Sequence, residues 1–491
     1  MTFLPIRSRK AFLLFSLLCL SPRILTAQTP APEMRAVWVS RFEWPSANVR
    51  TAKNNIDQIM KDIADNNFNT VLFQVRGQCD TLYPSPDEPW TNTFNWQPPM
   101  DPDNPGQVWD PLAYAIQAAH ARGLEFHAYI NTHTLAAPAP PANTTPQHPF
   151  NLHGPNAPGE QSWMIRDSNG NAGLVDSYYW ISPANTEASA WTRRQILYIV
   201  KNYDVDGVHF DRIRSPGNNY TYDAATQRRW SNGQVSDSNP DGLGLSDFMR
   251  SQITRDLRKI QGEILYYKPW VKTSAAPFGI VYKDATTQYQ GTGTQSYHSW
   301  FQDSWGWLHY HVLDFMVPQI YWQVGSAHPF EKLLQDWMAH TGGRHVVAGS
   351  TTSSGSKSVS ALLAEHAQTR LQNAHGHCIF SYSSMGDYWS AFKTQRYDQP
   401  TTVPEMPWKT NPTVGTIVGY VVDPMGNPVV DATINLADDI HQSPQGGPYN
   451  YLSAHDGFFA ILDVTPGTNH QVTASKTDVG RRVLSGLSVS A

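Results

Sequence analysis

Short apolar runs recur along this chain, and each is followed by a stretch in which apolar side chains return every three or four positions. The runs are Ala36 to Ser40, Thr70 to Val75, Leu124 to Ile130, Gly207 to Phe210, Val271 to Ala275, Phe315 to Pro318, His345 to Gly349 and Cys378 to Tyr382. They are continuous rather than half polar, which predicts strands covered on both faces, the condition of a parallel sheet. Between them Ile56, Met60 and Ile63 keep helical spacing, as do Met249, Ile253, Leu257, Ile260 and Ile264. Trp191 to Tyr203, Pro329 to His340 and Ser358 to Asn373 read as further helices. Eight strand-helix units over roughly 360 residues predict an α/β fold, a (β/α)8 TIM barrel with long insertions.

The pattern breaks in two places. After the third run, Pro138, Pro140, Pro141, Pro146 and Pro149 stiffen a stretch that ends in Tyr178, Tyr179 and Trp180. A long loop of this kind suits a substrate wall. Between Asp398 and Pro412 the pairs Gln399-Pro400, Val403-Pro404, Met406-Pro407 and Asn411-Pro412 predict a stiff linker. Beyond it Thr416 to Val422, Thr433 to Leu436, Phe458 to Leu462 and Gln471 to Ser475 are short β-type runs between turn signals such as Asp456-Gly457. They predict a small all-β sandwich. The expected organisation is a barrel over 33–396, a linker over 397–412 and a sandwich over 413–491.

Residues 1–27 read as a secretory leader: Arg7, Arg9 and Lys10 precede the apolar run Ala11 to Leu20, and Leu25-Thr26-Ala27 ends on a small residue. That run is far shorter than the ~20 residues needed to span a bilayer, and no later stretch of similar hydropathy reaches that length. The expected location is therefore secreted, periplasmic or cell-envelope, with no transmembrane segment. Outside the leader only Cys79 and Cys378 remain, too few for a disulfide framework or a cysteine metal site. Charged residues make up 16 % of the chain against 17 Trp, 22 Tyr and 19 Phe. The net charge of −5 includes four basic leader residues and no leader acid, so the chain beyond the leader is more acidic still. Nucleic acid and anionic membrane surfaces are poor partners for such a chain.

In a barrel enzyme the chemistry sits where strands run into their following loops. Those positions hold Arg41, Glu43 and Trp44 after the first run and Gln74, Arg76 and Asp80 after the second. Asn131 and His133 follow the third, Asp211, Arg212 and Arg214 the fourth, and Gln319, Tyr321 and Trp322 the sixth. Acids, amides, arginines and aromatic rings thus converge on one face. Sugars need that mixture, because hydroxyls pair with carboxylates and amides while the apolar face of a pyranose packs on an aromatic ring. The aromatic surplus gains a use.

These residues also resemble a known family. Met34-Arg35-Ala36-Val37-Trp38-Val39, Glu43-Trp44-Pro45, the stretch Phe73 to Tyr83, Asp206-Gly207-Val208-His209-Phe210-Asp211-Arg212-Ile213-Arg214 and Val317-Pro318-Gln319-Ile320-Tyr321-Trp322 look like the glycosyl hydrolase-like 10 family of bacterial secreted and envelope proteins. The resemblance runs in order from Glu33 to about Tyr388. It implies a (β/α)8 glycosidase, and some relatives cut peptidoglycan glycan strands from which the peptides have been removed. The tail, with Gly415, Val421-Val422-Asp423, Gly426-Asn427-Pro428 and Pro466-Gly467, resembles a carboxypeptidase regulatory-like sandwich. Ser215 and Ser182 depart from the tyrosine and aspartate that relatives often carry before Pro216 and Pro183.

Glycoside hydrolysis usually employs two carboxyl groups. Asp211 is the first candidate, its bland alternative being an ion pair with Arg212 or Arg214 that fixes the loop. The fifth and sixth runs offer no acid, which leaves Glu43 and Asp80 for the partner. Glu43 is preferred because Trp44 beside it would desolvate a proton donor; Asp80 has the alternatives of pairing with Arg76 or holding a sugar hydroxyl. Gln74, Arg76, Asn131, His133, Arg212, Arg214, Gln319, Tyr321 and Trp322 are expected to bind substrate. No His-Glu-x-x-His pattern supports a metal, and no cofactor is expected. The expected partner is a polysaccharide or oligosaccharide. A non-catalytic glycan-binding protein that keeps the barrel groove is the alternative.

Overall fold

The computed structural model describes residues 30–137, 140–352, 357–442 and 449–491. The expected leader lies outside these residues. The barrel strands are β1 (Met34–Val39), β2 (Thr70–Arg76), β3 (Glu125–Asn131), β4 (Gly207–Asp211), β5 (Lys272–Ala275), β6 (Phe315–Met316), β7 in two segments (His345–Val346 and Ala348–Thr351) and β8 (Gly376–Phe380). Every neighbouring pair is parallel. The two halves of β7 pair with β6 on one side and β8 on the other, so the sheet closes on itself. Each apolar run read from the sequence is one of these eight strands.

Alternate residues of each strand face opposite ways. Met34, Ala36 and Trp38 of β1 join Leu72, Tyr129, Phe315, Val317 and Cys378 inside the barrel. Val37, Val39, Val71, Phe73, Ala128 and Phe210 point outward into the layer beneath the helices. Both sets are buried, which is why the runs read as uninterrupted apolar sequence. Gly207 belongs to the interior packing: a Cβ there would sit 2.3 Å from Nδ1 of the fully buried His127. The surrounding helices include α1 (Val49–Asp65), α2 (Pro111–His120), α3 (Thr186–Asn202), α4 (Leu245–Tyr267), α5 (Ser304–His309), α6 (Phe330–Ala339) and α7 (Val359–Leu371). The side chains of Asn48, Asp110 and Asn185 accept from free backbone N–H groups at the starts of α1, α2 and α3. None of the described helices is long and apolar enough to cross a membrane.

The segment expected as a linker lies across the N-terminal end of the barrel. Arg35 donates to the carbonyl of Gln399 at 2.7 Å, Asn69 to that of Thr401 at 3.2 Å, and Glu33 N to that of Thr402 at 2.9 Å. Met406 is buried with the barrel interior, and Trp408 and Lys409 both bind the carboxylate of Asp314. The prolines serve as a strap rather than a free tether.

The all-β region comprises β9 (Gly415–Tyr420), β10 (Thr433–Leu436), β11 (Tyr451–Leu452), β12 (Phe458–Val464), β13 (Gly467–Lys476) and β14 (Gly480–Val489). β9 pairs with β12, and the other four form a sheet in the order β11-β10-β13-β14, all antiparallel. It sits against α4. A Cβ on Gly262 would lie 2.4 Å from that of Ala460, so the contact needs glycine. Buried charges complete the joint: Arg229 makes two bonds to Asp431 at 2.6 and 3.1 Å, and Arg193 pairs with both Glu263 and Asp456. Arg258 lies 4.6 Å from the ring centre of Tyr449.

Candidate active site

Gln74, Asn131, Asp211 and Gln319 extend the inward-facing register of their strands to the C-terminal mouth. Asp211 ends β4 and is half-exposed. Its Oδ2 accepts from the Tyr129 hydroxyl at 2.6 Å and its Oδ1 from the backbone N–H of Arg212 at 2.7 Å. Arg212 has φ of 52°, a left-handed conformation that costs energy for a non-glycine residue. The arginines do not pair with Asp211. Arg212 and Arg214 bind Asp176 instead, at 3.3 and 3.0 Å. Burial pushes the Tyr129 phenol well above its ordinary value, and the Asp211 charge adds to this, so Tyr129 stays a hydrogen-bond donor.

Beneath the acid a chain of bonds fixes the barrel interior. Trp38 Nε1 donates to His209 Nε2 at 2.9 Å, and His209 Nδ1 contacts Ser274 Oγ at 2.8 Å. Burial holds His209 well below its ordinary value, so it is neutral. With Nε2 accepting, its Nδ1 carries the proton and donates to the serine.

The two ends of the insertion after β3 meet as a small antiparallel pair, Thr134–Ala136 against Tyr179–Trp180. Arg41 donates to Gln78 Oε1 and to the Tyr178 hydroxyl at 2.9 and 2.8 Å, and lies over Gly77 where any Cβ would collide. Arg214 is enclosed by rings, 4.6 Å from the centre of Trp180 and 5.1 Å from that of Phe278, and Phe278 stacks on Trp300 at 4.0 Å. The aromatic end of the insertion thus packs around Arg214, while half-buried Tyr321 and Trp322 follow β6. Burial raises the Tyr321 phenol well above its ordinary value, with the charge of Asp211 contributing, which ties this ring to the same centre. His133 is buried against the Arg212 backbone, and burial pushes its pKa down to about 4.

The other acids take different places. Glu43 is half-buried between the ends of β1 and β8: Oε2 accepts from Ser40 N at 2.5 Å, and Oε1 from Ser381 Oγ and Ser383 N, both at 2.7 Å. Asp80 is 2 % exposed; its Oδ1 accepts from Gln78 N, and its Oδ2 is buried without a partner. Arg76 lies away from the mouth. The β2–β3 register shifts between Gln74 and Arg76, and the shift turns Arg76 to the outer side. There it forms a two-pronged bond to Glu88, 2.7 Å on each arm, both side chains fully buried. Glu88, not Asp80, is thus the carboxylate that pairs with Arg76. Gln74 donates to Asn131 at 3.2 Å and accepts from Arg41 N, and Gln319 donates to the Ala276 carbonyl at 2.9 Å.

Tyr129 is a site residue that the motifs pass over, although its inward register two positions before Asn131 marks it. Asp176 and Trp300 carry no local signal, since distant loops bring them in. No group of His, Cys, Asp and Glu among the described residues could hold a metal ion.

The chain has counterparts among known proteins. The family model described as "Glycosyl hydrolase-like 10" matches residues 33–353. The chain is 26 % identical over 405 residues to glycosyl hydrolase YngK of Bacillus subtilis, covering 77 % of this chain and 74 % of that protein. It is 27 % identical over 339 residues to glycosyl hydrolase DigH of Escherichia coli, covering 64 % and 71 %. Among solved structures, the glycoside hydrolase domain of PgaB (BpsB) from Bordetella bronchiseptica superposes with a TM-score of 0.52 at 12 % identity, over 74 % of this chain and 98 % of that one, a likeness of fold. From its first barrel strand to its seventh, the chain belongs to the glycosyl hydrolase-like 10 family, and it is a glycosidase with a carbohydrate substrate.

Proposed function

We propose that the chain cleaves a polysaccharide at the C-terminal mouth of the barrel, with peptide-free peptidoglycan glycan strands as its substrate, and that Asp211 acts as nucleophile or general base. The observation that carries this is the state of Asp211: a half-exposed carboxylate that accepts from Tyr129 and Arg212 N while both neighbouring arginines are engaged by Asp176. It lies at the C-terminal mouth and is held in position by two hydrogen bonds, with neither neighbouring arginine paired to it.

Glu43 is the proposed proton donor. It accepts three bonds, one from the Ser381 hydroxyl. A serine hydroxyl both donates and accepts, so it can turn round when Glu43 carries the proton, with no heavy atom moving. Paired carboxyl chemistry then follows: Glu43 protonates the departing oxygen while Asp211 attacks the sugar or activates water. The occupied oxygens of Glu43 also favour a second reading for these strands, binding at the mouth without turnover, since a clamp between β1 and β8 is a sufficient role for that side chain. Incubation with purified peptide-free glycan strands and analysis of new reducing ends decides between them. Product supports hydrolysis, and retention of strands without product supports binding alone. The leader, with the family's envelope habit, fits export of the chain to that substrate.

A further inference from the structure

A groove of about 740 Å³ runs along the flank of the barrel, between the β5-to-β6 connection and the turn after α6, and shares no lining residue with the mouth. Tyr282, Tyr297, Trp305 and Tyr310 line it with rings, and Asp303 and His309 stand among them. The rings brace one another: Tyr282 meets Trp305 edge-on at 4.6 Å and Tyr297 at 5.5 Å. Trp305 also stacks on His340 at 3.8 Å. The polar atoms of this set are free to bind something. The hydroxyls of the three tyrosines have no hydrogen-bond partner among the described residues. Trp305 is 5 % exposed, and its indole N–H is buried without an acceptor. Asp303 uses only Oδ1, on Gly306 N.

Rigid ring faces beside unpaired hydroxyls, an N–H and a carboxylate oxygen match a ligand with apolar faces and many hydroxyls. Asp284 and Asp303 outnumber Lys283 along the lining, which disfavours phosphate groups. The groove ends where Tyr310 meets His441 of the sandwich, ring centres 6.3 Å apart, so a long chain lying in it would run toward the C-terminal domain. We infer that the flank groove is a second, non-catalytic binding site for a glycan chain, which keeps the enzyme on its polymer. The inference rests on the carbohydrate substrate of the family and not on Asp211 catalysis.

The test uses the full chain, retention on insoluble peptide-free peptidoglycan, chitin and cellulose, and turnover of short soluble glycan fragments. Tyr282→Ala with Tyr310→Ala is expected to lower retention on at least one polymer five-fold or more, while kcat/KM on short fragments stays within two-fold. Tyr310 is 40 % exposed, so Tyr310→Ala alone keeps the test valid should the double variant not fold. Unchanged retention, no retention of the wild type on any of the three polymers, or equal loss of retention and short-fragment turnover would overturn the inference. If the wild type turns over no glycan yet is retained through these tyrosines, the catalytic proposal fails and the second site stands.

Discussion

The hydroxyl of Tyr129 meets Oδ2 of Asp211 at 2.6 Å, joining the inward faces of β3 and β4 at the mouth. A hydrogen bond to a charged acceptor is worth ~1.5–3 kcal/mol, enough to hold one carboxylate rotamer while sugar binds. Tyr129→Phe keeps the ring and loses the bond. The expected result is a fall in kcat of about 10- to 100-fold with little change in KM, measured on short fragments. A change confined to KM would make Tyr129 a substrate ligand rather than a positioning residue.

Asp211→Asn preserves shape and the bond from Tyr129 but cannot supply charge or accept a proton. Turnover should drop by at least about 100-fold while glycan binding, followed by calorimetry, stays within a few-fold. Near-wild-type activity in the folded variant would remove Asp211 from the mechanism.

Glu43→Gln places an NH2 group against one of the three donors now bound by the carboxylate, so a lower melting temperature is expected. Its kinetic signature separates the acid from the clamp. A proton donor is needed most by poor leaving groups, and the variant should slow natural glycans far more than activated aryl glycosides. Equal slowing of both substrate types assigns Glu43 to loop closure alone.

Burial pushes His133 and His148 down to about 4 and His345 to about 3. Each is neutral in the folded chain, whereas the unfolded chain takes up protons from about pH 6.5 downward. Stability from these groups is therefore full above pH 6.5 and falls as pH drops toward 4, by up to about 3 kcal/mol for each of the first two at ~1.4 kcal/mol per unit. Thermal melts between pH 7.5 and 4 should show Tm declining most steeply below 6.5. A flat profile would contradict neutral burial.

Gly262→Val should force the sandwich from α4, because the new branch occupies the space of Ala460. Asp431→Ala leaves Arg229 buried without its carboxylate, a loss of ~3–5 kcal/mol for a buried pair. Both variants should increase protease cleavage between the barrel and the all-β region. Cleavage at wild-type rates in both would mean that the docking is weak. By the same reasoning a chain ended near Pro412 is expected to retain turnover of short glycans but to melt lower than the full chain.

All eight barrel strands were legible because double burial leaves uninterrupted apolar runs, and the inward register of Asn131, Asp211 and Gln319 follows from strand alternation. Arg76 was not legible: a single register shift beside Gln74 reverses its side, and no local pattern announces such a shift. The composition around Asp398 to Pro412 reads equally as tether or strap, since proline stiffness serves both. The choice is made by distant partners such as Arg35 and Asp314. The pairing of Arg229 with Asp431 spans 202 positions and leaves no mark in either neighbourhood.

The strap has a consequence for how the chain folds. Arg35 reaches Gln399 across 364 positions, and β1 must also find β8. Contacts of such separation are slow to form, because the entropy of closing the loop is spent before any bond repays it. Completion of the ring must wait for its far end, so a nascent or unfinished chain carries an open edge on β1 and an uncovered N-terminal opening. The native state becomes reachable only once the residues that bind Arg35 and Asp314 are present.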